Sequence, residues 1–140
     1  MNERELTSDS LEMVLETDFS SLERVVDQTE SFLETRLDDE DLIYRVVLLA
    51  TEAVTNAIEH GNALDPTKSV YYRLEIREKV VELVVEDEGG GFDPDKTDDP
   101  TESKNLFREG GRGLLFMHEI ADEVLFEKSG RLVRLIFHVS

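Results

Sequence analysis

The spacing of apolar residues divides this chain into alternating extended and helical stretches. Leu11-Glu12-Met13-Val14-Leu15-Glu16-Thr17 alternates loosely, which predicts a first strand, and Asp18, Ser20 and Ser21 supply helix-start chemistry behind it. From Ser21 to Leu37 the apolar positions Leu22, Val25, Val26, Phe32, Leu33 and Leu37 recur at three, four and seven, the period of a helix face. The acidic run Asp38-Asp39-Glu40-Asp41 puts negative charge where the next helix has its positive dipole end. That second helix is expected to run to about His60 and to stop at Gly61 in the left-handed conformation common at helix C-termini.

Extended patterning returns after Asp65-Pro66, from Ser69 to Ile76 and from Val80 to Val85, and predicts an antiparallel hairpin. Little apolar periodicity follows between Asp93 and Gly113, a length that in a small domain marks a functional lid or disorder. Leu114 to Ala121 can form a short helix. Glu123 to Lys128 and Leu132 to Val139 form a terminal hairpin turning at Ser129-Gly130. Helices interleaved with hairpins predict an α+β fold, a two-layer sandwich whose mixed, mainly antiparallel sheet carries helices on one face. One domain over 1–140 accommodates all of it, with neither repeat nor linker.

Candidate chemistry falls in three places. On the second helix Ile43, Val46, Val47, Ala50, Val54, Ala57 and Ile58 share one face, while Arg45, Glu52, Asn56 and Glu59 lie opposite. Glu52 and Asn56, four apart, stack on one side, yet the same spacing describes a solvated stripe. At the end of a strand, Asp87-Glu88-Gly89-Gly90-Gly91-Phe92-Asp93 suits either an ordinary turn or a backbone that lets a ligand approach closely. Gly110-Gly111-Arg112-Gly113, just before Leu114, offers helix N–H groups and a guanidinium to an anion, or a flexible loop end. It is neither a Walker loop nor a dinucleotide fingerprint.

Composition narrows the classes. Thirty-three acidic against fifteen basic residues, a formal charge of −18, would repel a phosphate backbone, so direct nucleic-acid binding is not expected. With no cysteine there is neither a disulfide framework nor a thiolate metal site. No apolar run approaches the roughly 20 residues of a membrane span, and the first ten residues lack a signal-peptide core, so a cytoplasmic protein without membrane contact is expected.

Taken together, E-A-V-T-N-A-I-E-H-G-N, D-E-G-G-G-F-D and G-G-R-G-L resemble the N box and the two glycine boxes of the GHKL (Bergerat-fold) ATPases, a superfamily that includes gyrase and histidine kinases. The form of the first box and the short chain are most similar to the bacterial anti-sigma-factor serine-protein kinases. The resemblance runs from about Leu11 to Val139.

That resemblance implies ATP and ADP as ligands with Mg2+ as the metal. It places Asn56 on the magnesium ion and Glu52 as general base toward a partner's serine or toward water. Asp87 is then the acceptor for the adenine amine, with Gly89, Gly91 and Phe92 beside the base. Gly111, Arg112, Gly113 and Leu114 belong to the phosphate end, with Arg112 stabilising charge on the leaving group. Lys104 and Arg108, with Arg112, are the basic residues of the expected lid (about 93–113) that answer to the family's γ-phosphate contact. His60 belongs either to local helix-end structure or to the nucleotide pocket, and Asn62 lies in the same box. His118 and His138 follow the boxes, and no histidine-bearing dimerisation helix precedes Glu52, which disfavours a sensor histidine kinase. The implied function is that of an anti-sigma factor. It phosphorylates a serine of a STAS-type anti-anti-sigma protein and sequesters a sigma factor, as a homodimer. The alternative is a nucleotide-gated binding module without kinase activity.

Overall fold

The computed structural model describes residues 9–89 and 117–140. Gly91, Phe92, Lys104, Arg108, Gly111, Arg112, Gly113 and Leu114, and with them the expected lid, lie outside the described residues.

Strand β1 (Asp9–Glu16) leads into helix α1 (Ser21–Glu34) through a turn in which Asp18 Oδ1 accepts the Ser20 N–H at 2.8 Å. The serine at the helix entry makes no capping bond of its own. Helix α1 ends three residues short of Leu37, although Leu37 still packs on the core and its N–H reaches the Leu33 carbonyl at 2.8 Å. Helix α2 (Glu40–Asn56) begins as the charge pattern predicts. Asp39 is extended and its Oδ1 accepts the Leu42 N–H at 3.1 Å, while Glu40 and Asp41 occupy the first turn.

Four more elements complete the sheet: β2 (Ser69–Arg77), β3 (Val80–Glu86), β4 (Glu123–Glu127) and β5 (Leu132–His138). The strand order is β1-β2-β3-β5-β4 and every ladder among the described residues is antiparallel. This is the expected α+β sandwich, its sheet antiparallel throughout the described part.

Register explains the layering, because side chains alternate faces along each strand. Met13, Tyr72, Val85 and Val133 form one row across four strands, all buried beneath the helices. Helix α2 packs on β3 and β5 and helix α1 packs on α2 and β1. Leu42, Val46, Leu49, Ala50, Ala53, Val54 and Ile58 are almost wholly buried, each larger side chain contributing about 1.5–3 kcal/mol on transfer from water. The apolar arc is therefore wider than the spacing alone implies, since it includes Leu49. The opposite face of the sheet is a lattice of ion pairs in which Arg73 meets Glu12 and Glu75, and Arg134 meets Glu82 and Glu127.

The end of α2 departs from expectation. Residues Ala57–Gly61 widen into a turn of i→i+5 hydrogen bonds, closed by the Asn62 N–H on the Ala57 carbonyl at 2.7 Å. Gly61 does not take the left-handed conformation; positive φ falls instead on Ala63 (52°) and Leu64 (60°). The helix has already unwound by one extra residue per turn, so the reversal occurs two residues later.

Candidate functional site

Where the widened turn meets the end of β3, two parts of the chain interlock. A Cβ on Gly61 would lie 2.2 Å from Asp87 Oδ2, and one on Gly89 would lie 1.6 Å from the Gly61 carbonyl oxygen. Both glycines are therefore required by close approach, since any side chain would displace backbone or carboxylate. The helix end and the Asp87-Glu88-Gly89 turn form a single unit.

Asp87 itself is buried, at 6% exposure. Its N–H donates to the Arg131 carbonyl at 2.9 Å, and its Oδ1 accepts the Gly89 N–H at 2.9 Å. Burial raises its pKa above the ordinary carboxylate value, and the Gly89 N–H opposes that shift. Among the described residues nothing donates to Oδ2. A shielded carboxylate with an oxygen unpaired among the described residues suits a ligand N–H. Glu88 turns the other way: its carboxylate accepts the Ser69 N–H at 2.8 Å and the Tyr71 hydroxyl at 2.6 Å, and these bonds hold its pKa low.

Glu52 and Asn56 occupy successive turns of α2, ahead of the widened turn, and both are half-buried. Neither side chain has a hydrogen bond or ion pair to another described residue. Arg45, on the same side, is committed elsewhere: its Nε meets Asp41 at 3.0 Å and its Nη1 the Ile120 carbonyl at 3.5 Å. His60 is exposed and lies 3.3 Å from the carboxylate of its neighbour Glu59.

Sequence reasoning gives Asn62 a place in the first box but no task, and gives Thr17 neither, yet both are buried against this unit. Asn62 Oδ1 accepts the Glu88 N–H at 2.8 Å, and its Nδ2 donates to Thr17 Oγ1 at 2.8 Å. An asparagine directly after the helix glycine was the available signal, but polar loop residues ordinarily face water.

The model of the histidine kinase-like ATPase domain matches residues 15–137. The chain belongs to this family. Among curated relatives, an anti-sigma F factor of Geobacillus thermodenitrificans is 33% identical over 105 residues, covering 71% of this chain and 72% of the relative. An anti-sigma F factor of Shouchella clausii is 37% identical over 78 residues (54% and 53%). The serine-protein kinase RsbW of Bacillus subtilis is 33% identical over 90 (60% and 56%). The chain thus spans little more than half the length of the last two.

The donor set at this site fits an ATP–Mg2+ ligand on its own chemistry. Asp87 Oδ2 has no donor among the described residues, Gly61 and Gly89 let the helix end and the Asp87 turn pack directly against each other, and the Asn56 amide is free of described partners. Among the described residues no group of three or more His, Asp or Glu could cage a metal. A magnesium ion here would depend on one or two protein ligands together with phosphate oxygens, a common arrangement for this ion. No described helix is long and apolar enough to cross a membrane.

Proposed function

We propose that the protein binds ATP with Mg2+ and transfers the γ-phosphoryl group to a serine of a STAS-type anti-anti-sigma partner, sequestering a sigma factor while that partner is phosphorylated. The observation that carries this reading is the interlocked Gly61–Asp87–Gly89 unit at the end of a helix whose preceding turns present Glu52 and Asn56 without described partners. The names of the relatives, anti-sigma F factor and serine-protein kinase, support the same direction.

Each residue then has a task. Asp87 accepts a hydrogen bond from the adenine amine, which guanine does not offer. Gly89 lets the turn come close to the base, with Gly91 and Phe92 continuing that side; His60 stands at the rim. Asn56 holds the Mg2+, whose charge offsets that of the phosphates. Glu52 takes the proton of the serine hydroxyl as its oxygen bonds to the γ-phosphorus, while the β–γ bridging oxygen leaves with ADP. Gly111, Arg112, Gly113 and Leu114, with Lys104 and Arg108, serve the phosphates.

Incubation with labelled ATP, Mg2+ and unphosphorylated anti-anti-sigma proteins tests the reading. Label is expected on a partner serine and on no histidine of this chain. Nucleotide-dependent partner binding without transfer would establish a gated module instead, and the absence of ATP binding would end both.

A further inference from the structure

Both donor hydrogens of the Asn62 amide and its oxygen are engaged inside the protein. The side chain is wholly buried. Nδ2 donates to Thr17 Oγ1 at 2.8 Å and to the Ser69 carbonyl at 3.0 Å, and Oδ1 accepts the Glu88 N–H at 2.8 Å. These partners fix the amide in one orientation, because the Ser69 carbonyl can only accept and the Glu88 N–H can only donate. Thr17 is fixed in turn: the residue is 6% exposed, and its hydroxyl donates to the Lys68 carbonyl at 2.6 Å and keeps a lone pair for Asn62. A directional relay therefore runs from the Glu88 N–H through Asn62 and Thr17 to Lys68.

Its position matters more than its strength. Asp87 is tied to Gly89 and to Arg131, but Glu88, the residue between Asp87 and Gly89, has its N–H held by Asn62. Asn62 also ends the widened turn through its own N–H on the Ala57 carbonyl, so one residue sets the helix end and the Asp87 turn relative to each other. The Asn62 side chain bonds to neither Glu52 nor Asn56. We infer that Asn62, supported by Thr17, is a positioning residue for base selection: it holds the Asp87 carboxylate where an adenine amine can meet it. This rests on the ATP-site reading above.

The two roles open to the relay separate in nucleotide preference. A bond that only holds the fold together lowers the melting temperature and leaves the ratio of ATP to GTP affinity unchanged. A positioning bond lowers that ratio, while the affinity gained from ADP to ATP, set at the phosphates, stays as in the unsubstituted protein. Titration calorimetry with ATP, ADP and GTP on the full chain, paired with thermal melts, reads both. Asn62→Ala is expected to reduce the ATP-over-GTP preference by about tenfold, the scale set by the net worth of one ordinary hydrogen bond. Thr17→Val, which leaves the Oδ1 bond to Glu88 and removes its support, is expected to reduce it by about threefold, the low end of that scale. If Asn62→Ala does not fold, Thr17→Val decides alone. Variants that melt earlier yet keep the full preference overturn the inference. An unsubstituted protein without ATP-over-GTP preference overturns the adenine site itself, and the inference with it.

Discussion

The two ends of the candidate site are built on opposite plans. At the base end, Asp87, Glu88 and Gly89 are tied by hydrogen bonds to Arg131, Asn62, Ser69, Tyr71 and one another. At the other end, Glu52 and Asn56 stand half-buried on α2 with no described partner. A recognition surface gains from being fixed before the ligand arrives, since ordering on binding would cost affinity. A proton acceptor and a metal ligand must keep their lone pairs for the reaction. The contrast is what separates a pocket of this design from a polar stripe that merely faces water.

The largest effects are expected at the unpartnered end, and they should leave stability alone. Glu52→Ala is expected to slow phosphate transfer by about 10²–10⁴-fold, the usual contribution of a positioned general base. ATP affinity and melting temperature should stay near those of the unsubstituted protein. Asn56→Ala, in the same assays, is expected to lose ATP–Mg2+ binding and again to melt normally, because no hydrogen bond or ion pair to a described residue is removed. If either variant melted several degrees early, these side chains would be structural and the contrast between the two ends would fail.

At the interlocked end a single methyl group should damage both fold and site. Gly61→Ala places a Cβ 2.2 Å from Asp87 Oδ2, which forces the carboxylate or the widened turn to move. A loss of about 1–3 kcal/mol is expected in urea denaturation, the usual scale for overpacking, together with weakened ATP binding. Normal stability would mean the turn yields easily, and the base end would then not be preorganised.

Much of this arrangement is legible in the sequence, and the reasons for the remainder are physical. The strands follow from alternating β-branched residues, and the start of α2 from its acidic run, because those signals depend on near neighbours. Gly61 is legible as a special position but for a different reason than the structure gives. A left-handed helix stop and a close approach both call for glycine, and only the fold brings residue 87 against it. Asn62 and Thr17, 45 residues apart, look like ordinary polar loop residues until the sheet brings them together. Glu52 and Asn56 are legible as a pair, but their lack of partners is a property of the packed chain. Gly91, Phe92 and the residues from Lys104 to Leu114 rest on the resemblance alone.

The smallest effect concerns what the buried carboxylate costs. Burial raises the Asp87 pKa, so the folded chain holds that proton more tightly than the unfolded chain, whose value is near 3.9. The contribution of the group to stability is therefore intact below that unfolded value and is lost as pH rises through the folded one. An asparagine in its place cannot ionise and its amide oxygen can still accept the Gly89 N–H, so Asp87→Asn is expected to gain stability relative to the unsubstituted protein as pH is raised. Denaturation by urea at intervals from about pH 3.5 to about pH 7 should show the gap widening and then levelling. The same substitution replaces Oδ2, which has no donor among the described residues, with an N–H donor and should weaken ATP binding. Better folding with poorer binding would mark Asp87 as a carboxylate kept for its ligand, whereas a gap that narrows with rising pH would mean the charge is stabilised by the protein and needs no ligand to explain it.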